Sequence, residues 1–265
     1  MKHLEGKTAL VTGAAGGIGF GMATAFAKAG MNVVITDIQQ DKLAEAANQL
    51  KTISEDVLAL TADSSDKQSL RGAAQAVYDK FGPLHVLCNN AGIDGGGRIL
   101  ETNEAAWTRV FDVNFWGPLN GINEFLPGML EHGEEGHIVN TASFSGIHGH
   151  GHQSAYGSSK FALVGMSEYL RNDLAGSKIG VSVLCPHVVD TPIMDPLKKT
   201  VSKEILAMIE EMEVSAETVG QQVLQAILTE EFYIFCDGIH TRDMLEKRCE
   251  NLLAAMNRQF PEGKQ

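Results

Sequence analysis

The alternation of short apolar runs with helical patterns restricts the fold of this chain more than any other feature. Each run is rich in aliphatic or aromatic residues, and stretches with helical spacing of apolar residues fill the gaps. The runs lie at residues 7–12, 32–36, 57–61, 84–89, 137–142, 179–185 and 232–236. Such alternation implies right-handed crossovers. We expect an α/β fold, a doubly wound parallel sheet of about seven strands with helices on both faces.

A glycine-rich loop, residues 13–19, follows the first run directly. Glycines let the backbone turn sharply and approach a pyrophosphate closely, and the next helix presents free N–H groups and a positive dipole end. The loop therefore predicts a dinucleotide phosphate site. Its candidate residues are Gly13, Gly17, Ile18 and Gly19.

Asp37 ends the second run and is followed by Ile38. A carboxylate here can accept hydrogen bonds from both hydroxyls of an adenosine ribose, and it repels a 2′-phosphate. No Arg or Lys occurs in residues 14–19 or at position 38 to compensate for such a phosphate. The pattern favours NAD over NADP, although Asp37 can also be read as a plain turn or helix-capping residue.

Tyr156 and Lys160 are separated by one helical turn, and Ser143 precedes them at the end of an apolar run. Positions i and i+4 share a helix face, so the Lys160 ammonium is expected near the Tyr156 phenol. A nearby cation lowers the pKa of a phenol and fits it for proton transfer. Because the Tyr/Lys spacing is short and common, an accidental surface pair is the alternative on these residues alone.

The motifs together resemble the short-chain dehydrogenase/reductase family, in its compact single-domain branch with a Rossmann-like fold. The resemblance spans nearly the whole chain. It is carried by the Thr-Gly-x-x-x-Gly-x-Gly element at 12–19, Asp63, the Asn-Asn-Ala-Gly segment at 89–92, Asn114, Ser143, Tyr156, Lys160, Pro186 and Thr191.

The resemblance implies a catalytic tetrad. Tyr156 is the expected general acid/base, Ser143 is expected to hold the substrate oxygen, and Lys160 to lower the tyrosine pKa and bind the nicotinamide ribose. Asn114 is expected to interrupt a helix and to hold a water that relays protons from Lys160. A plain polar residue on a helix face is the alternative for Asn114.

The resemblance also assigns cofactor contacts. Asp63 is expected at the adenine amino group, and Val189 and Thr191 at the nicotinamide carboxamide. The further cofactor candidates are Ile38, Asn90, Ala91, Gly92, Tyr156, Lys160 and Pro186. The sequence departs from the family pattern at His187, where Pro-Gly is common, and the role of His187 stays open.

Several residues near the reacting group are candidates for substrate binding: Ser143, Phe144, His150, Gln153 and His187. Residues 191–218 resemble the family's substrate lid and contain Met194, Leu197, Ile205, Met208, Ile209 and Met212. Methionines adapt to irregular apolar shapes. The expected substrate is therefore a bulky cyclic, aromatic or steroid-like secondary alcohol or ketone, although Met208 and Met212 can equally be the buried face of an amphipathic helix.

The predicted activity is NAD-dependent interconversion of a secondary alcohol and a ketone, with a non-catalytic dinucleotide-binding sensor or scaffold as the alternative. The charge, 21 − 33 = −12, argues against nucleic acid or an anionic membrane as a partner. No apolar run approaches the roughly 20 residues that span a bilayer, and no signal peptide is expected, so the cytoplasm is the expected location.

The remaining expectations concern cysteines, metals and assembly. Cys88, Cys185 and Cys236 lie in apolar runs and are expected to be free buried thiols, and Cys249 also lacks metal-ligand spacing. The loop carrying His148, His150 and His152 is a poor preorganised metal site, so no metal is predicted. We expect one domain over residues 1–265 and a helical C-terminal extension at about 239–265. The family resemblance implies a homodimer or homotetramer that pairs the helices around Asn114 and Tyr156.

Overall fold

A central seven-stranded sheet organises the computed structural model, which describes residues 1–191, 194 and 198–261. The strands run in the order β3-β2-β1-β4-β5-β6-β9, and every neighbouring pair is parallel. They are β1 Thr8–Thr12, β2 Asn32–Asp37, β3 Val57–Thr61, β4 Val86–Asn89, β5 Gly136–Thr141, β6 Ile179–Cys185 and β9 Tyr233–Phe235. A separate short pair joins β7 Val189–Asp190 to β8 Val214–Ser215. The predicted parallel sheet is confirmed.

Helices cover both faces of the sheet. They are α1 Gly17–Lys28, α2 Gln40–Leu50, α3 Lys67–Phe81, α4 Glu104–Phe111, α5 Gly117–His132, α6 Ser154–Asp173, α7 Lys203–Met212, α8 Ala216–Thr229 and α9 Arg242–Gln259. A π-helical turn, Asp112–Trp116, connects α4 to α5. No helix in the described part of the chain is long and apolar enough to cross a bilayer.

Two apolar cores form because the strands are buried on both faces. On one face, α1, α2 and α8 pack on the sheet around Phe26; on the other, α3, α5 and α6 pack around Phe125. Both phenylalanines are fully buried, and all five residues of β1 are buried. Near-continuous apolar strands of this kind are what a doubly covered parallel sheet requires.

The strand order reverses at β1, which pairs with β2 on one side and β4 on the other. Crossovers leave in opposite directions from these neighbouring strands, so a crevice opens beyond their carboxyl ends. Gly13 follows β1, and Asn90 follows β4. The topology thus places the glycine-rich loop beside the segment after β4.

Helices α1 and α8 approach each other through glycines. A Cβ added to Gly220 would lie 2.2 Å from the carbonyl oxygen of Gly21, and one added to Gly21 would lie 2.0 Å from the carbonyl oxygen of Ala216. Both obstacles are backbone atoms, which cannot rotate away. This close contact fixes α8 against the helix that follows the glycine-rich loop.

We predict that Gly220→Ala lowers the free energy of unfolding by about 1–3 kcal/mol, because the added methyl overpacks the contact between α1 and α8. Urea unfolding at equilibrium measures the change. Gly72→Ala is the matched control: Gly72 is exposed within α3 and an added Cβ meets nothing within 4 Å. The control is expected to be neutral or slightly stabilising. Equal losses for the two variants would contradict the packing argument.

Candidate active site

A cleft of about 1130 Å³ lies at the carboxyl ends of the strands. We call it the central cleft. Most of the predicted site residues line it: Gly13, Gly17, Ile18, Asp37, Ile38, Asp63, Asn90, Ala91, Gly92, Ser143, Tyr156, Lys160, Pro186, His187, Val189 and Thr191. The fold therefore brings the predicted phosphate loop and the predicted proton-transfer residues into one cavity.

The glycine-rich loop is held by the segment that follows β4. The side-chain amide of Asn90 donates to the carbonyl oxygens of Thr12 at 3.0 Å and Gly13 at 3.1 Å. Gly13 has a φ of 64°, a conformation that glycine adopts without strain. Gly19 does not line the cleft; a Cβ there would lie 2.4 Å from the Gly13 carbonyl oxygen. Gly19 thus permits the tight packing of the loop.

Asp37 faces the cleft and also supports the loop. Its Oδ2 accepts from the Ala15 N–H at 3.1 Å, and its Oδ1 accepts from the Gln39 N–H at 2.9 Å. The turn-stabilising role is therefore present, and each carboxylate oxygen keeps a further lone pair for a ligand. Asp63 is similarly fixed, since its Oδ1 accepts from the N–H and the hydroxyl of Ser65.

Asn114 lies within the π-helical turn, so the predicted helix interruption is present. Its Oδ1 accepts from the Ile93 N–H at 2.9 Å, and its Nδ2 donates to the Ile93 carbonyl at 3.0 Å and to Ser159 Oγ at 3.1 Å. The side chain is fully buried and does not line the cleft. Asn114 thus ties the wall segment containing Ile93 to α6.

Lys160 is a buried cation beneath the cleft. Its Nζ donates to the carbonyl oxygen of Thr141 at 2.8 Å, and the residue is 3% exposed. A Cβ built on Gly92 would lie 3.4 Å from Lys160 Nζ and 3.4 Å from Asn114 Oδ1, so glycine keeps this corner open. Burial lowers the pKa of Lys160 to about 8, because a charged ammonium is poorly solvated there.

Tyr156 lies one turn from Lys160, with Lys160 Nζ 5.6 Å from the centre of its ring. The pKa of Tyr156 is raised by burial and, more weakly, by the carboxylate of Asp94, whereas a hydrogen bond with Ser143 lowers it. The net shift of the Tyr156 pKa is therefore upward, opposite to the lowering expected from the nearby Lys160. The physical reason is that desolvation of the phenolate outweighs the stabilising interactions around the ring.

Ser143 is held at the end of β5. Its hydroxyl accepts from the Ser145 N–H at 3.1 Å and lies 3.5 Å from the Pro186 carbonyl oxygen. The Phe144 N–H donates to the same carbonyl at 2.8 Å. The segment after β5 is thereby joined to the segment after β6, and Ser143 and Tyr156 face one cavity.

Three candidate substrate residues lie outside the lining of the central cleft: Phe144, His150 and Gln153. The Phe144 ring is buried and packs against His148 and His187, with ring centres 6.0 Å and 5.5 Å away. His150 interacts with Ser145 Oγ at 2.9 Å, and Gln153 Nε2 donates to Asp94 Oδ1 at 3.2 Å. The segment after Ser143 folds onto itself, so proximity in sequence does not place these side chains in the cleft.

Sequence reasoning missed part of the cleft wall. Lys42 of α2 lines it beside Asp37, and α4 contributes Arg109 and Thr108. These positions belong to amphipathic helices whose exposed faces carry many polar residues. Nothing in their spacing distinguishes cleft-facing from solvent-facing side chains, because the distinction depends on how each helix packs.

The histidine-rich loop is not where potential metal ligands converge. Among the described residues, His85, His132 and Glu134 form a group whose ligand atoms lie within 4.8 Å of one another. Both rings are already engaged: His85 Nδ1 accepts from the Thr8 N–H, and His132 contacts the Leu84 carbonyl and the Glu134 N–H. These hydrogen bonds explain the cluster without a metal ion: they join the segments at the amino-terminal ends of the strands, away from the cleft.

The described part of the segment between β7 and β8 contributes Thr191 and Met194 to the cleft lining. Met194 lines the cleft, whereas Met208 on α7 is 61% exposed and α7 has no buried residue. The alternative that Met208 belongs to a buried helix face is therefore wrong. Lys198 anchors the segment by contacting Asp190 at 2.9 Å and Glu213 at 2.6 Å. Leu197, assigned to the same segment, lies outside the described residues.

The cysteines agree with the prediction: Cys88, Cys185 and Cys236 are free and buried, and Cys249 is free and exposed. Burial raises the pKa of the Cys88 thiol well above its usual range. Such thiols are unreactive and pack as small apolar side chains.

We predict that the Lys160→Met variant changes the pH dependence of stability. In wild type, the unfolded chain binds the Lys160 proton more tightly than the folded chain, so this group makes stability rise between about pH 8 and pH 10.5. Below pH 8, burying the charged Lys160 ammonium lowers the free energy of unfolding by about 3 kcal/mol, at 1.36 kcal/mol per pKa unit.

The free energy of unfolding of both proteins is measured with urea from pH 7 to pH 10, and the wild-type value is subtracted from the variant value at each pH. The difference is expected to be most favourable to the variant at pH 7 and to shrink as pH rises. Lys51→Met, at an exposed lysine, is the control with no such slope. Parallel stability profiles for Lys160→Met and wild type would contradict the desolvation of Lys160.

Comparison with known proteins identifies relatives of this architecture. A crystal structure of a short chain dehydrogenase/reductase from Burkholderia phymatum in complex with NAD superposes with a TM-score of 0.87, at 31% identity, covering 96% of this chain and 97% of the other. A single-substitution variant of actinorhodin polyketide ketoreductase with NADPH gives a TM-score of 0.83 at 29% identity, covering 90% and 99%.

Sequence comparison gives the same result. A 1-deoxy-11-beta-hydroxypentalenate dehydrogenase of Streptomyces exfoliatus is 36% identical over 249 residues, covering 92% of this chain and 89% of that protein. The family profile described as short chain dehydrogenase matches residues 7–202. The chain belongs to the short-chain dehydrogenase/reductase family, whose fold binds a nicotinamide dinucleotide.

Proposed function

We propose that this oxidoreductase interconverts a secondary alcohol and a ketone, with NAD as the cofactor. The observation that carries the proposal is that Ser143, Tyr156 and Lys160 line the same cavity as the glycine-rich loop and Asp37. A dinucleotide bound with its phosphates at that loop and its adenosine ribose at Asp37 would have the proton-transfer residues at its nicotinamide end. Proton transfer and cofactor binding thus share one cleft.

Tyr156 is the proposed general acid/base. A bound nicotinamide supplies or accepts the hydride at the reacting carbon. In ketone reduction the Tyr156 phenol donates its proton to the carbonyl oxygen, and the Ser143 hydroxyl donates a hydrogen bond to that oxygen as negative charge develops. In alcohol oxidation the phenolate is the base. The raised pKa of Tyr156 favours the phenol, the form that reduction requires.

Lys160 and Asn114 are the proposed supports of this chemistry. The Lys160 ammonium stabilises the phenolate that remains after proton donation and is placed to bind the nicotinamide ribose. Gly92 leaves space above both Lys160 Nζ and Asn114 Oδ1. The proton lost by Tyr156 can be replaced through the space beside Gly92, which Lys160 Nζ and Asn114 Oδ1 border.

The remaining cofactor contacts are proposed along the cleft. The phosphates are assigned to the loop containing Gly13, Gly17 and Ile18, where the α1 N-terminus presents free N–H groups. Asp63 and Ile38 are assigned to the adenine, with Asn90, Ala91 and Gly92 beside the adenosine ribose. The nicotinamide end is assigned to Pro186, Val189 and Thr191. All of these residues line the cleft.

NADP is the second candidate cofactor because of Lys42. This lysine lines the cleft near Asp37, and an ammonium there can neutralise a 2′-phosphate. The two relatives of known structure contain NAD in one case and NADPH in the other. NAD is favoured because a carboxylate at Asp37 repels the phosphate directly.

The proposed substrate is a bulky cyclic, aromatic or steroid-like alcohol or ketone. Met194 at the cleft and the exposed apolar side chains of Ile205 and Met208 on α7 support it, since a lid closing over a bulky substrate would cover them. The relatives named above are a hydroxypentalenate dehydrogenase and a polyketide ketoreductase. Both names describe alcohol or ketone chemistry.

Residues 191–218 are proposed to act as the lid within one catalytic domain over residues 1–265, and residues 239–265 as a C-terminal extension. We also propose a homodimer or homotetramer acting in the cytoplasm. Tyr169 on α6 is 74% exposed and Trp116 at the π-helical turn is 49% exposed, which supports pairing through these helices. A monomeric mass by light scattering would refute the assembly.

Tyr156→Phe is expected to lower turnover by at least a hundredfold, because it removes the transferable proton while keeping the ring. The assay follows NADH formation from NAD⁺ with a panel of cyclic, aromatic and steroidal secondary alcohols. Tyr78→Phe, at a tyrosine of α3 that does not line the cleft, is the matched control. Tight NADH binding without turnover of any alcohol or ketone would instead favour the non-catalytic sensor.

Asp37→Asn is expected to shift the ratio of NADH to NADPH affinity toward NADPH by tenfold or more, because it removes the repulsion of the 2′-phosphate. Quenching of protein fluorescence measures both dissociation constants. Asp41→Asn, on the exposed surface of α2, is the control. If wild type binds NADPH more tightly than NADH and Lys42→Met loses this preference, NADP replaces NAD as the proposed cofactor.

A further inference from the structure

His187 occupies the position after Pro186, directly beside Ser143. The Pro186 carbonyl oxygen lies 3.5 Å from the Ser143 hydroxyl and accepts from the Phe144 N–H at 2.8 Å. The imidazole lines the central cleft, and its edge packs against the Phe144 ring. The His187 side chain therefore lines the cleft together with Ser143, the residue proposed to hold the substrate oxygen.

Asp237 stands behind the imidazole. Its Oδ2 lies 3.7 Å from His187 Nδ1, and among the described residues both atoms are buried without a hydrogen-bond partner. The Asp237 side chain is only 6% exposed. Its other oxygen, Oδ1, accepts from the N–H groups of Ile239 at 2.9 Å and His240 at 3.2 Å. The carboxylate is thus held with its free oxygen toward the ring.

This arrangement selects one tautomer of the imidazole. A buried carboxylate oxygen that lacks a donor is costly, so it favours a proton on the facing ring nitrogen. With the proton on Nδ1, Nε2 carries a lone pair. Nδ1 is buried against Asp237, whereas the His187 side chain is 25% exposed and lines the cleft, so Nε2 is the ring nitrogen that can face the cleft. The lone pair of Nε2 is therefore accessible.

We propose that His187, oriented by Asp237, is a specificity-determining residue that accepts a hydrogen bond from a second hydroxyl group of the substrate. The inference rests on the proposed alcohol/ketone function and narrows its substrate class to hydroxylated ketones and the corresponding diols. A site built to bind a hydroxyl discriminates strongly against an analogue that lacks it, because the buried polar group then has no partner.

The charge of the ring agrees with a hydroxyl rather than a carboxylate. Burial lowers the pKa of His187, and His240 and His150 lower it further, whereas Asp237 opposes these effects. A neutral ring presents a lone pair to the cleft and offers no positive charge to an anion. The Asp237 carboxylate behind the ring also disfavours an anionic substituent.

The tautomer is tested directly by ¹⁵N NMR of histidine-labelled protein at pH 7.5. The difference spectrum between wild type and His187→Gln assigns the His187 signals among the nine histidines. We expect a neutral ring with its proton on Nδ1, and a loss of this preference in Asp237→Asn. A proton on Nε2, or a charged ring, overturns the proposal whether or not the protein has dehydrogenase activity.

The ligand preference is tested with three ketones of similar shape: 4-hydroxycyclohexanone, 4-methylcyclohexanone and 4-oxocyclohexanecarboxylate. Their dissociation constants are measured by ligand-observed NMR in the Tyr156→Phe protein saturated with NADH, so binding does not depend on turnover. The hydroxy ketone is expected to bind about tenfold more tightly than the methyl ketone.

In the double variant Tyr156→Phe/His187→Leu, the affinities for the hydroxy and methyl ketones are expected to become nearly equal. In Tyr156→Phe/His187→Gln, which retains an acceptor oxygen, part of the preference for the hydroxy ketone is expected to remain. Equal affinities for the hydroxy and methyl ketones overturn the inference while leaving the proposed function intact. Tightest binding of the carboxylate overturns it as well. If the hydroxy ketone is preferred but wild type turns over no ketone, the proposed reaction fails and the His187 site stands.

Discussion

The hydrogen bonds from the Asn90 side chain to the Thr12 and Gly13 carbonyls are the constraint on which the site depends. They join the end of β4 to the end of β1 at the point where the strand order reverses. Thr12 Oγ1 completes the link by accepting from the N–H groups of Asn90 and Ala91. These four hydrogen bonds hold the glycine-rich loop beside the segment after β4, and both segments line the cleft.

The second constraint is burial of charge. Lys160 is placed under the cleft by α6 and is partnered by the Thr141 carbonyl, so the ammonium is retained at an energetic cost that folding of the two cores must offset. Tyr156 experiences the same desolvation, which explains why its pKa rises although a cation lies nearby. A poorly solvated position strengthens interactions with reacting charges, and for the same reason it disfavours the charged forms of its own groups.

The sequence predicted most of the site because parallel α/β topology places residues after strands at one edge of the sheet. Gly13, Asp37, Asn90, Ser143 and Pro186 each follow a strand, and all line the cleft. The sequence does not predict position where packing decides it, and three candidate substrate residues do not line the cleft. Phe144, His150 and Gln153 are close to Ser143 in sequence, but Phe144 and His150 make contacts within their own loop and Gln153 bonds to Asp94. Met208 has the spacing of a buried face, yet nothing in the described chain covers it.

The sequence by itself determined the strand and helix order, the glycine-rich loop and the helical spacing of Tyr156 and Lys160, since these follow from local periodicity and backbone sterics. Tertiary structure alone decided the directions of the pKa shifts, the entry of Lys42 and Arg109 into the cleft wall, and the pairing of His187 with Asp237. The physical reason is that desolvation and long-range contacts depend on which surfaces are brought together. The two residues of that pair are fifty positions apart, and only the adjacency of β6 and β9 brings them within reach.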